Sequence, residues 1–316
     1  MRSFLKTLLF LIAGTAFAQP YPFKPIRVIV PFSPGGPVDV VMRLLSPKMT
    51  EMLGQPLVIE NKTGAGGNLG VQQVARAPAD GYTVLATSSS FAVNPALTPD
   101  AGYNPERDFI AVAVVASQPN FIVVNASFPA QTLAELLQMA RTQKLAFASP
   151  SSGTTPHLTA ENLFKVRAKV DITHVPFRGA GPAVAAVLGG EPPIGSMAGT
   201  APMPHLRSGK LRALAVSSSK RLASLPDVPT LNELGYPDME DYTWVGLFLP
   251  AGTPAAIAQK LNDTVIRTLQ SADIRERLDG LTFEPTAAPL RETADYVKSE
   301  LVKWAKVVRD TGAKAE

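Results

Sequence analysis

A three-part unit, made of strand, glycine- or serine-rich turn and helix, recurs along this chain and restricts its fold more than any other feature. It first appears in VIVPFSPGGPVD at residues 28–39, where Val28-Ile29-Val30 runs into Ser33-Pro34-Gly35-Gly36. Apolar residues then fall at Val41, Met42, Leu45, Met49, Met52 and Leu53, a helical spacing, and Gly54 stops the helix. Leu57–Glu60 reads as a second strand feeding the glycine-rich Asn61–Asn68, with a helix to about Ala77. Tyr82–Ala86 reads as a third strand, ending in Thr87-Ser88-Ser89-Ser90. Further on, Leu145–Ala148 opens into Ser149–Pro156 and a helix from His157 to about Val166. Asp171–Val175 leads through Pro176–Pro182 into a helix ending near Leu188, and Leu211–Val216 adds another strand. Alternation of this kind predicts parallel sheet covered by helices.

Two apolar runs, Phe109–Ser117 and Phe121–Asn125, separate these halves. Thr132 and Glu135 have the spacing of a capping box, opening a helix to about Gln143. The last third differs. Asp241–Leu249 reads as a strand, Thr253-Pro254 as an N-cap with proline at the first helical position, and Pro254–Leu269, Asp273–Leu278 and Leu290–Val308 as helices. These would pack on a sheet already built, so two α/β domains are expected, with the final third returning to the first.

The chain begins MRSFLKTLLFLIAGTAFAQ. A positive start at Arg2 and Lys6, a short apolar core and Ala16-Phe17-Ala18 give the pattern of an export signal cleaved after Ala18. The apolar core is too short to span a bilayer, so a soluble periplasmic protein is expected. The chain has no cysteine, which excludes disulfides and thiolate metal sites. Formal charge is +4, and setting aside Arg2 and Lys6 leaves +2. With no basic run interleaved with aromatics, nucleic acid is not an expected partner. The 29 prolines sit mostly at turns between periodic segments, and so punctuate structure.

Four turns carry the chemistry: Ser33–Gly36, Gly64–Asn68, Ser149–Thr155 and Arg178–Pro182. In an open parallel sheet such turns gather at the carboxyl edge, where ligands bind. Helix N-termini there offer unpaired N–H groups and favour anions. None of the turns carries the Gly-Lys-Ser/Thr of a nucleotide loop, and Gly64-Ala65-Gly66-Gly67-Asn68 continues with Leu69, which breaks the dinucleotide pattern. A carboxylate fits instead, held by main-chain amides of Pro-Gly-Gly without a lysine. One turn supplies too little for micromolar affinity, which needs about 8 kcal/mol; opposing turns closing together supply more. No cofactor or metal is expected, and no catalytic residues.

These residues, in order, resemble a known family. VPFSPGG at Val30–Gly36 with Asp39, LGQPLVIENKTGAGGN at Leu53–Asn68 and DGYTVL at Asp80–Leu85 are similar to Bug-type extracytoplasmic solute receptors of tripartite tricarboxylate transporters. So are Asn94-Pro95, Tyr103-Asn104-Pro105, Gly153-Thr154, His174-Val175-Pro176-Phe177, GKLRALAVSSSKR at Gly209–Arg221, LPDVPT at Leu225–Thr230 and PAGTP at Pro250–Pro254. The resemblance implies a type II periplasmic-binding-protein clamshell: domain I at 19–117 plus 245–316, domain II at 118–244, and crossover strands near Val112–Ile122 and Tyr242–Leu249. It implies capture of a small organic acid by hinge closure and delivery to membrane permease subunits, by a receptor acting as a monomer. Ligand contacts carried over are Phe32, Ser33, Pro34, Gly35 and Gly36; Ser88, Ser89 and Ser90; Ser149, Gly153, Thr154 and His157; and Gly179, Ala180 and Gly181. The family's Gly-Thr after Gly-Gly is Pro37-Val38 here, and Met197 stands where an acidic residue is often found. That substitution implies a ligand whose distal half is less polar, an aliphatic or aromatic acid.

Single residues leave alternatives. Asp39 reads as the N-cap of the first helix with Arg43 as its i+4 partner. His157 either donates to a ligand or merely starts its helix. Arg178 either forks onto a distal carboxylate or is solvated. His174 reads as a strand residue, and Trp244 as core near the hinge. Two other functions fit the same residues: a ligand sensor for a membrane signalling protein and, less well, an exported hydrolase, which lacks G-x-S-x-G and any metal-spaced cluster.

Overall fold

The computed structural model describes residues 20–98 and 100–314; the export signal expected over residues 1–18 lies outside them. β1 (Ile26–Val30) is an aliphatic strand buried except at Arg27. It feeds α1 (Pro37–Leu53), then β2 (Leu57–Asn61), a 3-10 turn at Ala65–Gly67, α2 (Asn68–Ala75), β3 (Thr83–Ser88), α3 (Ser90–Leu97) and α4 (Pro105–Asp108). β4 (Phe109–Asn125) then runs for 17 residues as one strand. The interruption at Gln118-Pro119-Asn120, which divides the apolar run in the sequence, is strand too. Two polar side chains and a proline mimic a loop there, yet all three are buried.

The second lobe holds α5 (Leu133–Ala140), β5 (Leu145–Ser149), α6 (Thr155–Glu161), β6 (Ile172–Pro176), α7 (Ala180–Gly189), β7 (Ile194–Ala198), α8 (Met203–Arg207) and β8 (Leu211–Val216). β9 (Tyr242–Pro250) returns to the first lobe, followed by α9 (Ala255–Gln270), α10 (Ala272–Gly280), β10 (Glu284–Pro285) and α11 (Leu290–Thr311). Three helix starts differ from expectation. Proline 37, with its fixed φ, opens α1 two residues before Asp39. α6 begins at Thr155 and passes into a π-helical segment over Asn162–Arg167. Pro254 itself, not Thr253, is the flanking residue of α9; the Thr253 hydroxyl instead donates back to the Pro250 carbonyl at 2.8 Å. The Thr132–Glu135 capping box is present.

β1 lies between β2 and β3, all parallel, and β5 between β6 and β7, also parallel. The two crossing strands are antiparallel to one another, paired from Phe109–Pro250 to Pro119–Tyr242. From Asn120 onward β4 pairs with β7 and β8 of the second lobe. The changeover therefore falls between Pro119 and Asn120. Each lobe is a sheet with a core on both faces. Alternate residues of β1 show this: Ile26, Val28 and Val30 pack with α1, α9 and α10, while Ile29 packs with α2, α3 and α11. In the second lobe Ile122 and Val124 face α5 and α6, and Phe121 and Val123 face α7. α11 ties the crossing to the first lobe: the Trp244 and Trp304 indole N–H groups both donate to Glu300 Oε2 at 2.9 Å.

Candidate ligand-binding site

Strand–turn–helix units from both lobes bring their turns face to face beside the crossing strands. In the first lobe the turn after β1 is fixed from below. Gly36 is the flanking residue of α1 and Asp39 sits in its first turn, so Asp39 is not the N-cap. Its carboxylate accepts the Gly35 N–H and Arg43 Nε, each at 2.9 Å, and Asn61 Nδ2 at 3.0 Å. Burial works against the Asp39 charge, yet these hydrogen bonds outweigh it and hold the carboxyl below the usual range. Asn61 also donates to the Phe32 carbonyl at 2.9 Å. The Pro-Gly-Gly amides are therefore not all bare: the Gly35 N–H is occupied by Asp39, and the Gly36 N–H points at Ser33 O at 3.4 Å. What the turn turns toward the gap is Ser33. The Phe32 ring lies against Gly67, 3.2 Å from where a Cβ would stand, so a side chain there would have to push the ring aside, at a φ of +99° that favours glycine.

Opposite stands the second lobe. Gly179, at φ +116°, precedes α7, and a Cβ there would meet only Ser33 Oγ, at 4.0 Å. Ala180 and Gly181 open α7, and Gly181 and Arg178 are exposed beside them. In the turn after β5, Thr154 donates to Ser151 O at 2.8 Å. Ser152 Oγ is buried with no hydrogen-bond partner among the described residues. Ser152 O faces Gly66 of the first lobe, 3.6 Å from its Cβ position. Ser149 and His157 brace this turn from behind. Ser149 Oγ lies 2.7 Å from His174 Nε2, and His157 Nδ1 accepts the Gly153 N–H at 3.3 Å. His157 is 3% exposed, and desolvation, with His174 and Lys165 nearby, lowers its pKa to about 3. It is neutral and supports the loop.

The serine-rich end of β3 is buried where the lobes meet. Ser88 and Ser90 hydrogen-bond to each other at 3.2 Å, and Ser89 Oγ is 3.0 Å from Thr155 Oγ1 across the lobes. Thr155 continues the chain to Thr243 at 2.6 Å, Thr243 to Asn120 at 2.8 Å, and Asn120 to Asp241 at 2.6 Å. This buried polar chain runs through the crossing strands. Apart from Asn120 and Gln118 standing out in an apolar run, the sequence gives no signal for it. The contacts of Asn94, Thr155 and His174 are likewise reached only in three dimensions, although Thr155 lies in a turn that the sequence marks. Met197 departs from expectation. It is fully buried with Ala183, Val184, Val187 and Met203, on the face of β7 that meets α7. It fills core and lines no part of the gap, so it carries no argument about ligand polarity.

Two lobes, two crossing strands and turns facing across a gap define a type II periplasmic-binding-protein clamshell. The family model described as "Tripartite tricarboxylate transporter family receptor" matches residues 41–313. BugT of Bordetella pertussis is 39% identical over 307 residues, covering 96% of this chain and 94% of that protein. A solved protein of R. palustris with adipate is 32% identical, with a TM-score of 0.89 over 94% of this chain and 100% of the other. MatC from Rhodopseudomonas palustris, with bound malate, is 36% identical, with a TM-score of 0.85 over 91% and 100%. The chain belongs to the tripartite tricarboxylate transporter family of receptors, which are solute-binding proteins.

Proposed function

We propose that this receptor captures a small aliphatic carboxylate, of the dicarboxylic chemistry represented by adipate and malate, in the gap between its lobes. It delivers that acid to integral-membrane permease subunits and carries out no turnover of its own. The chain would act in the periplasm after removal of residues 1–18. The observation that carries this reading is the approach of Ser33 to Gly179, two turns on opposite lobes that meet across the gap. Behind each turn stands an uncapped helix N-terminus, α1 with 17 residues and α7 with 10, with no side-chain hydrogen bond at either cap. The positive end of α7 favours an anion there by about 0.3–1 kcal/mol, while Asp39 in the first turn of α1 already offsets part of that helix's positive end. Hydroxyl and amide donors to a charged oxygen add about 1.5–3 kcal/mol apiece. Ser33 and the unpartnered Ser152 hydroxyl supply such donors. The first lobe would rotate against the second about the crossing strands, the boundary falling at Pro119–Asn120 and not at residue 117, since Gln118 and Pro119 still pair with Thr243 and Tyr242. Solved relatives holding adipate and malate support the ligand class.

A thermal-shift screen of mono- and dicarboxylates tests this. A ligand at 100 times its Kd adds about 2.7 kcal/mol of stability. A panel in which adipate, malate and their homologues produce no shift, while sugars or free cations do, overturns the reading.

A further inference from the structure

Asn94 sits buried on α3 in the first lobe, and its carboxamide points two ways. Nδ2 donates to Gly66 O at 3.1 Å and to Asn68 Oδ1 at 2.8 Å, which fixes the turn between β2 and α2. Oδ1 faces Gly153 of the second lobe. A Cβ built on Gly153 would fall 2.4 Å from Asn94 Oδ1 and 2.9 Å from Leu97 Cδ2. Gly153 has φ +77° and donates its N–H to His157 Nδ1, so it is held in place from behind. Turns from the two lobes thus meet at backbone distance through one carboxamide.

We propose that Asn94 is a positioning residue for ligand capture: it shapes the first lobe's turn and seats Gly153 only when the lobes close. This rests on the capture reading above. Asn94 cannot swing aside to admit a side chain at 153 without freeing Gly66 O and Asn68 Oδ1, both within the fold. A Gly153→Ala change therefore acts as a wedge in the closed state. In the open state the collision is absent, and only the strain of a positive φ remains. The signature is a defect in closure and affinity that is separable from loss of stability.

The chain has no cysteine, so Lys62→Cys and Ala185→Cys, exposed on opposite lobes, give a clean spin-label pair. The interlabel distance is measured with adipate, malate and benzoate in turn. In the labelled parent the distance shortens with the acid that binds. G153A is expected to stay long and to bind that acid roughly 10-fold to 100-fold more weakly, the range of an overpacked contact. N94A alone is expected to weaken binding, and N94A in the G153A background to cost less than the sum of the two losses, a non-additive pair, because the collision with the carboxamide is gone while that with Leu97 remains. G153A closing and binding like the parent overturns the latch alone, as does a double variant whose losses simply add. A parent that shortens with none of the acids overturns the capture reading and the latch with it.

Discussion

His157 and His174 stack with their ring centroids 3.9 Å apart and their planes 24° from parallel. One comes from α6 and the other from β6, and together they form the rear support of the Ser149–Gly153 turn. His174 meets Ser149 Oγ and His157 receives the Gly153 N–H. Two stacked imidazoles at this distance tolerate at most one charge. Burial first, then the nearby positive groups, lowers the pKa of His157 to about 3 and of His174 to about 4.

The sign of the resulting pH dependence is fixed. In the unfolded chain both histidines bind protons near pH 6.5, whereas in the fold they do so only at about 3 and about 4. Their contribution to stability is complete above the unfolded value and is lost as pH falls toward the folded ones. His174→Gln should flatten the decline in melting temperature between neutral pH and about pH 4.5. Calorimetric melts across that window check it, and a variant whose acid decline is as steep as the parent's contradicts it.

Asp241 works in the opposite direction. It is 5% exposed, and burial pushes its carboxyl up to about 6 against the pull of Lys303, Asn120, Thr159 and Ser217. A raised carboxyl contributes stability below its unfolded value that is lost as pH rises through the folded one. Thr159 Oγ1 stands within reach of both Asp241 Oδ2, at 2.9 Å, and Thr155 O, at 2.8 Å, and has one proton for the two. A neutral side chain at 241 that can donate to Thr159 removes this conflict. Asp241→Asn should therefore stabilise the protein by on the order of 2 kcal/mol well above pH 6 and change little near pH 4. Chemical denaturation at the two pH values measures the difference; destabilisation at the higher pH would refute it.

Asp39 holds the turn after β1 through Gly35 and does not cap the helix. Asp39→Ala should cost about 1–2 kcal/mol of stability and weaken carboxylate binding, because the Ser33 side of the gap loses its brace. Asp39→Asn keeps an acceptor for the Gly35 N–H but sets its own Nδ2 against the Asn61 Nδ2 donor and loses the ion pair with Arg43, so it should retain only part of both. Titration calorimetry alongside melting separates the two effects. An Asp39→Ala protein that binds like the parent would show that Ser33 needs no such support.

Much of the frame was legible in the sequence. β1 and β8 stand where their aliphatic runs place them, and the turns at Ser33, Ser149 and Gly179 were marked by glycine and serine at strand–helix junctions. Periodicity reports neighbours along the chain. It fails where structure depends on distant partners. Gln118-Pro119-Asn120 reads as a break because nothing local shows that Pro119 will lie opposite Tyr242. Asn120 and Asp241 are 121 positions apart and form one hydrogen bond. His174 looks like an ordinary strand residue until the β5–β6 register sets it beside Phe147, one strand from Ser149. Met197 misled because position in a motif does not say which face of a strand a side chain takes, and β7 turns it toward α7.

The most direct measurement is a crystal structure of the protein grown with its tightest-binding carboxylate. The expected density lies between the lobes, with the acid's oxygens within hydrogen-bond distance of the Ser33–Gly36 turn on one side and of the Ser149–Gly153 or Gly179 turn on the other. An acid lodged outside that gap, or one whose oxygens touch neither lobe's turn, would contradict it.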